Sequence, residues 1–166
     1  MKILIVSQHM DDEVLGMGAT IAKHVHNGHE VYLCFIANRV YNREYDKKRN
    51  QREVQHALDA KKILGYKESE FFNLNDEKLD VAIQDILSPL EKYIENIKPD
   101  IVYSNFYGDN HQVHRAEFQA VRVAIRPSAK VPPRKWLLYE TQSSADQSPP
   151  IMESAFMPNH YVDVTE

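Results

Sequence analysis

Apolar residues along this chain gather in short runs, separated by longer stretches in which they recur at helical spacing. Residues 2 to 7, with Ile3, Ile5 and Val6, and residues 31 to 36 form two such runs, the pattern of strands buried on both faces. Between them "EVLGMGATIAKHVHNG" predicts a helix with Val14, Leu15, Gly18, Ile21, Ala22 and Val25 on one side and Asn27-Gly28 as its stop. A polar segment from Val40 to Lys48 leads to a second helix, marked by Ala57, Ala60, Ile63 and Leu64 and terminated by Gly65. "EFFNL" reads as a third strand.

From Leu79 to Ile97 a helical stripe runs through Leu79, Ala82, Ile83, Ile86, Leu90, Tyr93, Ile94 and Ile97. Ser88-Pro89-Leu90-Glu91 has the form of a capping box, so a kink or restart is expected at Pro89. "PDIVYSN", "KWLLYE" and "YVDV" give a fourth, fifth and sixth strand, with "HRAEFQAVRVAI" a helix between the fourth and fifth. Strands alternating with helices predict an α/β fold: a Rossmann-like, doubly wound, mostly parallel sheet with helices on both faces. The stretch from Thr141 to Pro158 is either a functional lid or a disordered connection.

Composition narrows the function classes. At 166 residues, with 43% hydrophobic and 27% charged residues, the chain suits one globular domain. A net charge of −4 lacks the basic excess that attracts nucleic acid or anionic membranes. No apolar run approaches the length of a membrane span, and "MKILIVS" is too short for a signal peptide. The one cysteine, Cys34, lies in "VYLCFIA" and reads as a buried thiol, so a cytoplasmic protein is expected.

Two polar clusters carry the candidate chemistry. "SQHMDDEVLGMG" sets His9, Asp11, Asp12 and Glu13 at the exit of the first strand, and "YGDNHQVHRA" sets His111 and His114 at the exit of the fourth. Carboxylates at a helix start also oppose the helix dipole, which accounts for the acids but not for His9. In a doubly wound sheet the first strand commonly lies between the second and the fourth, so the two loops would flank one crevice. Two imidazoles and a carboxylate are a frequent ligand set for a hydrolytic zinc, which lowers the pKa of water to about 7. One of Asp11 and Asp12 would then ligate while the other moves protons. In "HQVH" one imidazole would ligate and the other stabilise an oxyanion.

Other residues have plainer readings. Gly16-x-Gly18 lacks the third glycine of a dinucleotide loop, and the acids before it would repel a pyrophosphate. His24, His26 and His29 fall at a helix end, where a solvated imidazole is favourable. His56 and His160 stand alone, and Arg39, Arg43 and Arg52 could reach a sugar or phosphate from the loop and helix after the second strand, with solvated arginine the plainer reading. Tyr107, Trp136 and Tyr139 suit a pocket wall or the core equally.

"QHMDDE" together with "GDNHQVH" resembles the signatures of the PIG-L/LmbE-like zinc-dependent N-deacetylases, His-Pro-Asp-Asp-Glu and a later His-x-x-His. "AKKILGY", "NLNDEKLD", "KPDIVYSN", "YETQSS" and "FMPNHYVDVT" are similar to that family in order and spacing, so nearly the whole chain is covered. The resemblance implies that His9, Asp12 and His114 bind Zn2+, that Asp11 is the general base, and that His111 faces the oxyanion. It also implies that Glu13 supports the loop and that Asp76 lies on the substrate side, where a turn residue is the alternative. The implied reaction is removal of the acetyl group from an N-acetylated amino sugar or glycoconjugate, with release of acetate. The competing expectation is a non-catalytic metal- or nucleotide-binding module on the same fold. Met10 replaces the usual proline and Val113 a common aspartate, changes expected to loosen the orientation of His114 or Asp11. The family normally continues past "VDVT" into another helix, so residues 1 to 166 are expected to be a single domain truncated at its carboxyl end.

Overall fold

The computed structural model of the chain describes residues 1–39, 46–79, 82–149 and 151–165. Five strands, β1 (Lys2–Ser7), β2 (Glu30–Asn38), β3 (Glu68–Asn75), β4 (Ile101–Asn105) and β5 (Lys135–Tyr139), form one sheet in the order β3-β2-β1-β4-β5. Every pairing is parallel. The helices are α1 (Asp12–His26), α2 (Lys47–Leu64), α3 (Ile83–Ile97), α4 (Gln112–Ala124) and the single turn α5 (Gln142–Ala145). The winding reverses at β1, which pairs with β2 on one side and β4 on the other, as the order of the polar clusters requires.

Strand alternation divides the core. Ile3, Ile5, Val31, Leu33 and Phe35 point to the face that holds Met17 and Ile21 of α1 and Ala57 of α2. Leu4, Val6, Tyr32, Cys34 and Ile36 point to the other, against Ile86, Leu90 and Ile94 of α3 and Val113, Ala120 and Val121 of α4. Cys34 is buried as expected. Gly28 and Gly65 end α1 and α2 with φ of 73° and 75°, a left-handed geometry that glycine adopts without strain. No helix among the described residues is long and apolar enough to cross a membrane.

Four expectations are corrected. The inward face of α1 is Asp12, Glu13, Met17 and Ile21, while Val14 and Leu15 are 44% and 59% exposed. The helix is rolled so that its first two carboxylates face the interior, and the apolar pair next to them turns outward. Gly16 serves packing: a Cβ there would lie 2.6 Å from the Glu140 carbonyl and from the Tyr139 ring, so this helix rests directly on the end of β5. On α2, Ile63 is 86% exposed, while Ala57 is buried and Leu64 packs against the same cluster. Helix α3 runs through Pro89 without a restart. "YVDV" is irregular rather than a sixth strand, and within the 141–158 stretch α5 is the only regular element among the described residues.

Candidate metal centre

The loops leaving β1 and β4 meet at the carboxyl end of the sheet, and they bring His9, Asp12 and His114 together. His9 sits in the turn after β1, Asp12 opens α1, and His114 lies in the first turn of α4. All three are nearly inaccessible to solvent. His114 Nε2 is 3.3 Å from His9 Nδ1 and 3.2 Å from Asp12 Oδ2, and His9 Nδ1 is 3.5 Å from the same oxygen. Donor atoms on a tetrahedral ion with bonds of about 2.0–2.2 Å stand about 3.3–3.6 Å apart, so the spacing of the triangle is that of a set able to hold such an ion.

Neighbouring groups fix each donor. The His9 backbone N–H donates to Asp12 Oδ2 at 3.0 Å, and Ser7 Oγ donates to the His9 carbonyl at 2.7 Å. His114 turns its other nitrogen, Nδ1, to Asp109 Oδ2 at 3.0 Å. Asp109 also accepts from Ser144 Oγ and from the His111 backbone N–H, each at 2.7 Å. A carboxylate behind a ligating imidazole sets its tautomer and raises its basicity. His9 Nε2 faces Asp76 Oδ2 at 3.6 Å, an approach longer than a hydrogen bond.

Asp11, His111 and Asp76 line the same 390 Å³ pocket without belonging to the triangle. Both oxygens of the Asp11 side chain meet Arg39 Nη2, at 2.5 and 2.6 Å. The His111 ring stacks on His114 with centroids 4.8 Å apart and meets the His9 ring edge-on at 5.1 Å. Burial, with the His114 and His9 imidazoles beside it, lowers the His111 pKa to about 4, so at neutral pH it is an uncharged N–H donor.

The family described as "PIG-L: GlcNAc-PI de-N-acetylase" matches residues 4–125, which include both clusters. The chain belongs to the PIG-L family. It is 32% identical to an uncharacterized deacetylase, YaiS of Escherichia coli (strain K12), over 147 residues covering 86% of this chain and 75% of that one. Among solved structures, the A40926 pseudoaglycone deacetylase Dbv21 superposes with a TM-score of 0.70 at 22% identity, covering 95% of this chain and 69% of that one. The N,N'-diacetylchitobiose deacetylase of Pyrococcus horikoshii gives 0.69 at 20% identity, covering 83% of this chain and 60% of its own length. At these identities the two structures establish the shared α/β fold, and the chain spans less than two thirds of the second.

In this PIG-L chain the sequence reasoning missed Asp109 and misjudged Arg39. Asp109 was within the quoted "YGDNHQVH", but an acid five residues before a candidate ligand carries no spacing signal of its own. It sits where His114 needs a partner, and Val113 is buried in the core instead. Each of the two side chains has a partner, Asp109 for His114 and Arg39 for Asp11. Arg52 and His56 are exposed, as expected, and Arg43 lies outside the described residues. His24 departs from the solvated reading, being half-buried and within 3.0 Å of the Tyr103 hydroxyl and 3.1 Å of His29. Tyr107, Trp136 and Tyr139 line a separate 590 Å³ cavity, whereas Ser144 and Gln147 bring the 141–158 stretch to the metal pocket. Asp109→Asn is expected to weaken metal binding about 10- to 100-fold while leaving the three donors in place, as measured by competition against a chelator.

Two carboxylates beneath the PIG-L site are buried without partners. Neither oxygen of Glu13 or Glu117 has a hydrogen bond among the described residues. Burial pushes Glu13 up to about 8, helped by the Asp12 and Asp11 charges, and raises Glu117 well above the ordinary glutamate range. In the metal-free chain, burial opposes charge on His114, but Asp109 and Asp12 outweigh it and carry the imidazole up to about 10. Asp12, also opposed by burial, is held well below the ordinary range by His114 and His9.

These shifts have a definite sign. A raised His114 stabilises the fold fully below the ordinary 6.5 and loses that contribution as pH climbs toward 10. A raised Glu13 likewise favours the fold at low pH, and the advantage fades between 4.5 and 8. Asp12 acts oppositely, its contribution being lost only as pH falls below the ordinary 3.8. The thermal midpoint of chelator-treated protein is therefore expected to fall steadily from pH 6.5 to pH 9. Metal, which takes the deprotonated imidazoles, should remove or reverse that slope. A midpoint rising over this range without metal would contradict the charge assignment.

Proposed function

We propose that this chain is a zinc-dependent N-deacetylase that removes the acetyl group from an amino sugar or glycoconjugate and releases acetate. The reading is carried by one observation: a tetrahedral donor triangle shares its pocket with a carboxylate and an imidazole that are left outside it. His9, Asp12 and His114 would hold the zinc, a donor set of two imidazoles and one carboxylate that leaves a coordination position open. Zinc, when bound, polarises an amide carbonyl and acidifies water.

The protein's own side chains divide the remaining work. Asp11 takes the proton of the attacking water and returns it to the departing amine nitrogen, turning a poor leaving group into a neutral amine. His111 donates its N–H to the carbonyl oxygen as negative charge develops there, a role that a neutral imidazole can fill. Asp76, at the pocket wall beside His9, accepts from a sugar hydroxyl. PIG-L membership and the likeness to deacetylases support this reading of the substrate.

Purified protein should carry one zinc per chain and release acetate from N-acetylglucosamine conjugates. A zinc-loaded chain inert across a broad panel of N-acetylated sugars would favour a non-catalytic metal-binding module. Tight nucleotide binding by a chain that takes up no metal would overturn the site altogether.

A further inference from the structure

A second pair of imidazoles meets far from the metal centre. His24 lies in the last turn of α1 and His29 in the turn that leads into β2. Asp12 opens the same helix, about 18 Å from His24 along the axis at about 1.5 Å per residue. The Nδ1 atoms of His24 and His29 face one another at 3.1 Å, with ring centroids 5.3 Å apart. His24 turns its other nitrogen, Nε2, to the Tyr103 hydroxyl at 3.0 Å. His26, between them in sequence, is exposed and takes no part in the pair.

The candidate metal centre holds its two imidazoles in nearly the same way. His9 Nδ1 and His114 Nε2 are 3.3 Å apart, the ring centroids are 5.4 Å apart, and the second nitrogen of His114 is anchored on Asp109 at 3.0 Å. An anchored second nitrogen is what fixes the tautomer of a ligating imidazole. Without metal, one of His24 and His29 places its proton between the two Nδ1 atoms. Moving that proton to the other nitrogen of the same ring frees both lone pairs for a single ion. His24 can make the change and keep its partner, because a tyrosine hydroxyl accepts as well as donates. Bonds of about 2.0–2.1 Å to donors 3.1 Å apart subtend roughly 95–102° at the ion, between the square-planar and tetrahedral angles.

The two sites differ in charge. Among the described residues no third histidine, cysteine, aspartate or glutamate completes a triangle with His24 and His29. The pair therefore offers neutral nitrogen alone, with water in the remaining positions. Nitrogen and water donors suit a tetragonal ion, and of the first-row divalent ions Cu2+ binds such donors most strongly.

We propose that His24 and His29 form a second metal site, a two-imidazole clamp for a divalent transition ion that favours Cu2+ and ties the end of α1 to the start of β2. It is separate from the deacetylase reading and takes no part in acetyl removal.

Titration of metal-free protein with Cu2+ tests the clamp. Wild type should bind one more ion per chain than His29→Ala. His24→Gln keeps a polar group toward Tyr103 but makes a poor ligand, and it should lose the same ion, whereas His26→Ala should keep it. The electron paramagnetic resonance spectrum of that ion should show coupling to two imidazole nitrogens. Tyr103→Phe removes the anchoring hydroxyl and should weaken the ion's binding about 10- to 100-fold. Zinc-loaded His29→Ala should release acetate at the wild-type rate, since neither histidine lines the pocket of the metal centre.

Equal Cu2+ uptake and affinity in wild type and His29→Ala overturns the clamp, and so does loss of the ion in His26→Ala. If instead the triangle takes no metal, every count falls by one while the difference between wild type and His29→Ala stands. That result removes the metal-centre reading and supports the clamp, so the two fail separately.

Discussion

His114→Ala is expected to yield a protein that retains no zinc after dialysis, shows no measurable acetate release, and melts well below the wild type even without metal. The first two effects follow from the triangle. Removing Nε2 leaves His9 and Asp12 alone, and two donors do not make the three-ligand site of a hydrolytic zinc. The third follows from what His114 does when no metal is present. It is the shared partner of Asp12 at 3.2 Å and of Asp109 at 3.0 Å, and both carboxylates are nearly inaccessible to solvent.

Taking away the imidazole removes a charged partner from two buried carboxylates at once, leaving Asp109 its neutral bonds from Ser144 and the His111 N–H and Asp12 its contacts with His9. Removal of one partner from a buried charged pair typically costs about 3–5 kcal/mol, a large part of the stability of an ordinary domain. His114→Gln separates the two contributions, since an amide can still donate to Asp109 yet makes a poor zinc ligand. It should recover part of the lost melting temperature and none of the zinc. Metal content per chain and thermal midpoints in chelator check both statements. A His114→Ala protein that binds zinc as tightly as wild type would remove this residue from the site.

The ease with which the three donors could be read from the sequence has a structural cause. In a parallel sheet wound about a switch point, the loops leaving the strands on either side of the reversal flank one crevice. His9 and His114 are carried by the connections after adjacent strands, so knowing that β1 sits beside β4 was nearly enough to predict their meeting. Asp109 and Arg39 also follow strands of this sheet, but topology alone did not single them out from their neighbours. Asp109 contributes through an irregular turn whose course is set by Ser144, His111 and Arg115, the last donating to the Asp109 and Asn110 carbonyls. Arg39 lies one residue past β2, where a solvated arginine and a pocket arginine look alike until the direction of Asp11 is known.

The face of α1 was misread for a related reason. Hydrophobic periodicity assumes that the buried side of a helix is its apolar side, and here the first turn reverses that rule, with Asp12 and Glu13 inside and Val14 and Leu15 outside. The site sets the roll of the helix, and the apolar residues follow from it. Ile63 and "YVDV" were misread more simply, since an apolar side chain near a helix end and an alternating run of four residues are both compatible with exposure.

Asp11→Asn provides the sharpest contrast with His114→Ala, because it should leave zinc in place and remove most of the turnover. Asparagine has the shape of aspartate, and a small rotation keeps its amide oxygen on Arg39 Nη2 while turning its NH2 from that donor, so the β1–α1 turn and the adjacent candidate ligand Asp12 are expected to keep their places. What it lacks is the capacity to take a proton from water and pass it to the amine. General base catalysis of this kind typically contributes about 10²- to 10⁴-fold, and a fall in kcat of that size is expected with KM little changed. The two variants should thus differ in metal content while both are poor catalysts. Loss of zinc from Asp11→Asn to the extent seen in His114→Ala would show that Asp11 holds the ion, and the division of labour between the two neighbouring aspartates would have to be reversed.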